Sequence, residues 1–177
     1  MHPIDLQRVP PFYHDYIRKV EAANTKAAFK IHLEKSMAFL ETIPAARWDH
    51  RYAEGKWTIK EVVQHMIDAE RIFCYRALCF ARRDATPLPG FDENSYADAS
   101  HAAQREPQSL LRELKLVQES SALLFASFTE DDLQAVGIAN GKPIYVEAIG
   151  FIIVGHTLHH LQIVKERYMN APDAITF

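Results

Sequence analysis

Apolar residues recur every three or four positions along four long stretches of the chain, which is the pattern of amphipathic helices. The stretches run from about residue 12 to 43, 58 to 82, 107 to 128 and 146 to 169, and the first is either one unbroken helix or a helix with an early break. Short apolar runs flank Asn140-Gly141, a turn pair that predicts a minor hairpin before the fourth helix. The pattern therefore predicts an all-α fold, a four-helix bundle.

Several residues mark where these helices begin and end. Pro44 ends the first helix, because the residue before a proline is pushed out of the α region. Thr58 and Glu61 are spaced as a capping box at the start of the second helix, and Pro107 suits the first turn of the third. Residues 83–105 are rich in Pro, Asp, Asn and Ser, and predict a long loop of the kind that is often functional.

Length and composition favour one domain spanning residues 1–177. The chain is 48% hydrophobic and 24% charged, an ordinary globular balance at a length that buries a substantial core. Its formal charge of −3 offers no basic surface for a nucleic-acid backbone. The longest apolar run, residues 148–154, is far shorter than the roughly 20 residues of a membrane helix. We therefore expect a small-molecule substrate, with neither nucleic acid nor membrane as partner.

The N-terminus and the cysteines predict a cytoplasmic location. The first residues show neither the basic nor the apolar region of an export signal. Cys74 and Cys79 are five positions apart in a predicted helix, which places them beyond easy disulfide reach. Free thiols are typical of the reducing cytoplasm.

The fourth predicted helix carries the run His156-Thr157-Leu158-His159-His160 within an apolar segment. At 3.6 residues per turn, His156 and His160 lie one above the other, so both imidazoles can reach one ion. His65, on the apolar face of the second helix, is the predicted third ligand. Three imidazoles leave a coordination position open, as catalytic metal sites do. His159 points about 100° away from His160 around the helix, so it is a poor ligand for the same ion. It is interpreted as a hydrogen-bonding partner of the site, a pocket wall or a surface residue.

Simpler interpretations of these histidines stay open. A lone buried histidine is more often a hydrogen-bonded core residue than a ligand, and an i, i+4 pair also arises by chance. Asp68 and Glu61 lie near His65 on the same helix. Either carboxylate has two interpretations, as a group that orients the His65 ring or as an ordinary solvated charge. The other histidines show no pairing and are interpreted as surface or core residues: His2, His14, His32, His50 and His101.

Two segments of the chain resemble the DinB-like, or YfiT-like, metal-dependent hydrolases of bacteria. The first is WTIKEVVQHMIDAE at residues 57–70, and the second is HTLHHLQI at residues 156–163, with weaker support from residues 89–93. The resemblance covers most of the chain, including helix number and order. It implies a four-helix bundle in which His65, His156 and His160 bind a divalent ion, nickel or zinc.

The resemblance implies no single reaction. Members of the family are similar to hydrolases or to transferases and isomerases that use low-molecular-weight thiols. A thiol S-transferase needs a pocket for an anionic thiol, for which Arg76, Arg82 and Arg83 are candidates. The alternative is a non-enzymatic metal-binding or interaction bundle. Family members are often dimeric, and the aromatic side chains of the second helix either form a homodimer interface or pack in the core: Phe73, Tyr75 and Phe80.

Overall fold

The computed structural model describes residues 3–169, which fold as a four-helix bundle with a small hairpin. In chain order the elements are α1 (His14–Arg18), α2 (Thr25–Leu40), α3 (Ile59–Ala81), α4 (Glu93–Ala99), α5 (Pro107–Ala126), α6 (Glu130–Leu133), β1 (Val136–Ala139), β2 (Lys142–Tyr145) and α7 (Val146–Ile163). A π-helical segment, Val164–Met169, extends α7. The four long helices are α2, α3, α5 and α7, and the predicted fold class is confirmed.

Two short helices refine the sequence prediction. The first predicted helix is broken early, which is one of the two forms that its pattern allowed: α1 ends at Arg18 and α2 begins only at Thr25, where the Asn24 side chain accepts from the Ala27 amide. The predicted loop of residues 83–105 contains α4, whose first turn is capped by the Asp92 carboxylate. Side chains that accept from free amides at the first turn nucleate such helices despite a weak apolar pattern.

The long helices are arranged around the bundle in the order α2, α5, α3, α7, so that each packs against two of the others. The consecutive helices α2 and α3 therefore lie on a diagonal, and residues 41–58 must cross one end of the bundle to connect them. The same order makes α3 and α7 neighbours. The histidines of the second and fourth predicted helices thereby come face to face.

The buried side chains form two apolar clusters, one toward each end of the bundle. The first cluster includes Phe73, Phe125 and Phe151, and the second includes Trp48 and Leu114. Along α3 the second cluster ends at Ile67 and the first begins at Ala69, while along α7 the first ends at Val154 and the second resumes at Leu161. A layer of polar side chains separates the two clusters at this level.

The aromatic side chains of α3 are divided between the core and the surface. Phe73 and Phe80 are buried in the first apolar cluster, whereas Tyr75 is 58% exposed, so an interface could use the tyrosine but neither phenylalanine. Cys74 and Cys79 are both free thiols, as predicted. Within residues 3–169, every helix is too short or too polar to cross a membrane.

Candidate metal centre

His65, His156 and His160 converge at the polar layer between the two apolar clusters. His65 lies on α3, and the other two lie one turn apart on α7. The Nε2 atom of His156 is 3.0 Å from Nε2 of His65 and 3.0 Å from Nε2 of His160. The potential ligand atoms of all three residues lie within 4.8 Å of one another. The structure thus brings together the three side chains that the helical spacing predicted.

Burial keeps these imidazoles neutral. His65 and His156 are 5% and 7% exposed, and His160 is partly buried. Burial lowers the pKa of His65 from 6.5 to about 4. Burial, followed by repulsion from His160 and His65, lowers the pKa of His156 well below its usual value, and burial acts in the same way on the pKa of His160. A neutral imidazole keeps a lone pair for a metal ion.

The donor set fits a divalent cation. A neutral imidazole has one N–H donor and one acceptor nitrogen, so three converging Nε2 atoms cannot all be satisfied by one another. Tetrahedral metal ligands at roughly 2.0–2.1 Å from an ion are about 3.3 Å apart. The two Nε2 separations of 3.0 Å are close to that value.

Aromatic rings and a close helix contact hold the histidines in place. The Trp57 ring centroid lies 4.9 Å from that of His65, and the Tyr16 ring meets His156 edge-on at 5.5 Å. Tyr16 reaches this position because α1 packs directly on α7 at Gly155. A Cβ at that glycine would overlap the carbonyl oxygen of Tyr16. The glycine therefore allows the wall of the site to approach His156.

Two cavities reach the histidine cluster. The smaller, of about 150 Å³, is lined by His65 and His156 together with Tyr16, Ala69 and Arg76, among others. The larger, of about 240 Å³, is lined by His160 together with residues of the α2–α3 connection and the end of α7, including Tyr52, Trp57 and Tyr168. Glu93 lines the smaller cavity and Asn94 the larger, so the start of α4 lies between them. A group held by the cluster is therefore accessible from two sides.

Comparison with known protein families supports the family membership that the fold and the three histidines suggest. The model of the DinB superfamily matches residues 28–164, which is most of the chain and includes all three histidines. The chain belongs to the DinB superfamily.

Relatives and solved structures of similar fold are consistent with this membership. A relative from Bacillus licheniformis, named "putative metal-dependent hydrolase", is 25% identical over 119 residues, which cover 66% of this chain and 68% of the relative. A relative of the same name from Geobacillus thermodenitrificans is 27% identical over 113 residues, which cover 62% of each chain.

Two solved structures have a fold similar to that of this chain. YfiT from Bacillus subtilis is described as a probable metal-dependent hydrolase with an unusual four-helix bundle topology. It superposes with a TM-score of 0.67 at 20% identity, covering 82% of this chain and 88% of YfiT. A mycothiol-dependent maleylpyruvate isomerase superposes with a TM-score of 0.66 at 13% identity, covering 85% of this chain and 61% of the isomerase. Both likenesses concern the fold.

The other residues singled out in this DinB-superfamily sequence have separate positions. His159 is half-buried and lies against the Tyr16 ring at 5.2 Å, outside the cluster. The Asp68 carboxylate accepts from Gln64, and Glu61 completes the capping box at Thr58, so the hydrogen bonds of these two acids lead away from His65.

The three candidate arginines differ in their surroundings. Arg82 lies over the Phe128 ring, and Arg83 donates to the backbone of Asp131. Of the three, Arg76 alone lines a cavity at the cluster.

A buried histidine–glutamate pair joins α2 and α3, and the sequence does not indicate it. His32 on α2 and Glu70 on α3 are 0% and 2% exposed, and Nε2 of His32 lies 3.0 Å from Oε2 of Glu70. Nearby, the Gln118 side chain of α5 donates to the Ser36 hydroxyl. Of the two predicted alternatives for His32, surface or core, the structure confirms the core, and it adds an acidic partner that the sequence did not indicate. The pairing arises from two helices on a diagonal, which no local pattern reveals.

Proposed function

We propose that this protein is a metal-dependent enzyme in which His65, His156 and His160 hold a divalent cation, nickel or zinc. The observation that carries this is the convergence of three neutral imidazoles at a point reached by two cavities. Structural zinc sites ordinarily have four protein ligands, whereas catalytic sites have three and leave one position for water or substrate. Within the described residues, the cluster consists of three.

A bound cation of this kind supplies Lewis acidity, which lowers the pKa of a water molecule or a thiol that joins it. The surrounding side chains orient the imidazoles and contact the substrate. Trp57 packs against the His65 ring and Tyr16 against the His156 ring, which holds these two imidazoles in orientation. Burial and the nearby Glu93 carboxylate raise the pKa of Tyr16, so its hydroxyl stays protonated at neutral pH and can donate to a substrate in the smaller cavity.

Hydrolysis is the first candidate reaction, since the two curated relatives and YfiT are named or described as metal-dependent hydrolases. Thiol-dependent transfer is the second. The observation that favours transfer is the pair of cavities, which gives two reactants access to one centre from different sides. The fold shared with a mycothiol-dependent isomerase adds support.

The metal content of the purified protein tests whether the three histidines bind a cation. We expect protein purified without a histidine tag to contain about one equivalent of nickel or zinc, and His156→Ala to lose it. His159→Ala is the matched control, because it removes a neighbouring imidazole outside the cluster and should keep the metal. Equal metal in the wild type and in a triple variant at His65, His156 and His160 would reject a metal-dependent enzyme in favour of a plain bundle with core histidines.

A non-enzymatic metal-binding module makes a different structural prediction. In such a module a fourth protein group closes the coordination shell of the loaded protein. A metal-loaded crystal structure distinguishes the two, since the enzyme requires a position that faces one of the cavities.

A further inference from the structure

An arginine is buried in the smaller cavity, on the same face of α3 as the ligand His65. Arg76 follows His65 by eleven residues, close to three full helical turns, so the two side chains share one stripe about 16 Å long. Ala69 and Phe73 lie between them and line the same cavity. Arg76 is only 4% exposed, which is unusual for a permanently charged side chain.

The charge of Arg76 has no acidic partner among the residues that the structure describes. One Nη2 hydrogen bond goes to the carbonyl oxygen of Pro89 at 2.8 Å, and the guanidinium lies 5.6 Å from the Phe73 ring centroid. A guanidinium has five N–H donors in a planar fork. Most of them therefore stay available for an anion, and a buried charge without a counter-charge is costly for the fold.

The chain near Pro89 does not need the positive charge of Arg76 to stay in place. The segment that passes over Arg76 is already fixed to the hairpin, because the Leu88 amide donates to Ile138 and the Leu88 carbonyl accepts from Asn140. A neutral side chain could donate to Pro89 at a smaller desolvation cost. Glu93 also lines the cavity, but it is exposed and forms no ion pair with Arg76 within residues 3–169.

We propose that Arg76 binds the carboxylate of a small-molecule substrate whose reacting group lies at the histidine cluster. The position of the reacting group at the histidine cluster rests on the proposed function, whereas the binding of a carboxylate by Arg76 does not. Guanidinium and carboxylate form two parallel hydrogen bonds, which fix orientation as well as charge. The cavity of about 150 Å³ has the size of one that holds benzene, so the anion belongs to a small molecule or to the end of a larger one.

Calorimetric titration of metal-free protein with benzoate and with benzamide tests the anion site. The two probes have nearly the same size and differ in charge. The variant Arg76→Gln removes the charge but keeps an N–H donor toward Pro89. The matched control is Arg82→Gln, which removes an exposed arginine six residues later in the chain. We expect wild type and Arg82→Gln to prefer benzoate. Arg76→Gln should weaken benzoate binding about 10- to 100-fold and leave benzamide unchanged.

Equal benzoate affinity in the wild type and Arg76→Gln overturns the proposal, as does a wild type that fails to prefer benzoate. A second variant, Ala69→Leu, fills the cavity without altering charge and should abolish binding of both probes. Unchanged binding in that variant would place the probes elsewhere and also reject the site.

Zinc titration of the same proteins tests the proposed function separately. Arg76→Gln should bind zinc as the wild type does, because Arg76 is not a ligand. Charge-dependent benzoate binding by a protein that binds no zinc would keep the anion site and reject the metal enzyme. Joint loss of zinc binding and of thermal stability in Arg76→Gln would show a structural role for the arginine and overturn the proposal.

Discussion

At the scale of single residues, His65 couples the site to the pH dependence of stability. Its pKa is about 4 in the folded protein, because burial disfavours the imidazolium, against 6.5 in an unfolded chain. Between these two values the unfolded chain binds more protons than the folded protein. The free energy of unfolding therefore rises with pH across this window, and the contribution of His65 is complete above about pH 6.5.

We predict that metal-free protein loses stability as the pH falls from about 6.5 to about 4. The loss approaches about 1.4 kcal/mol per pH unit for each histidine that is neutral when folded and charged when unfolded, and the difference between the two pKa values sets the width of the window. Urea unfolding at several pH values measures it. The variant His65→Gln should show a shallower slope in this window, and an unchanged slope would contradict the assigned burial effect.

At single residues, helical spacing pairs His156 with His160 and separates His159 from them, because the angle between positions on a helix is fixed by its backbone. His65 joins them as a prediction from its place on the apolar face of another helix. Spacing could not choose among the three candidate arginines. The burial of Arg76 depends on the chain near Pro89 passing over α3, which is a tertiary contact.

At the scale of elements, the polar layer between the apolar clusters connects helices that are not neighbours around the bundle. The contact of His32 with Glu70 joins α2 and α3 across the diagonal of the bundle. Nδ1 of His32 and Oε1 of Glu70 are buried without a partner among the described residues. The pair is thus incompletely satisfied, and its stability depends on both members being present.

We predict that His32→Leu and Glu70→Leu each destabilise the fold by about 3–5 kcal/mol, since each leaves the other polar group buried and unpaired. The double variant should be less destabilised than the sum of the two, because it removes the unpaired group as well. Chemical unfolding of the four proteins gives the coupling energy. Additive losses would show that the contact contributes no coupling.

The long helices could be predicted as elements because their apolar periods are long and their ends carry caps such as Thr58 with Glu61. The sequence left an early break in the first helix open but could not place it, since apolar positions continue across it from Val20 to Ala27. Asn24 is the signal for that break, as Asp92 is for α4, and both are short side chains that also occur in ordinary loops.

At the scale of the whole molecule, a cation at the cluster would connect α3 to α7, whose ligands His65 and His156 are 91 residues apart in the chain. A ligand that binds only the folded protein adds about 2.7 kcal/mol at 100 times its dissociation constant. Metal binding should therefore appear as a rise in melting temperature.

We predict two steps in thermal-shift experiments if the reaction is thiol-dependent transfer. Zinc raises the melting temperature of the wild type but not of His156→Ala. A thiol then raises it further, and only in the zinc-loaded protein, with mycothiol, bacillithiol, glutathione and coenzyme A as the probes. Stabilisation by zinc without a further rise from any of these thiols would count against transfer and leave hydrolysis as the candidate.

The diagonal placement of α2 and α3 has an evolutionary consequence. Because residues 41–58 must cross the end of the bundle, this connection supplies Tyr52, Gly55, Lys56 and Trp57 to the wall of the larger cavity, while the chain near Gly90 and Phe91 supplies part of the smaller one. The three histidines of the cluster instead lie within the long helices α3 and α7. Selection can therefore exchange or lengthen the connecting segments, and so change which molecule is accepted, without disturbing the three imidazoles. On the proposed function, one scaffold can in this way diversify in substrate while its three-histidine centre stays the same.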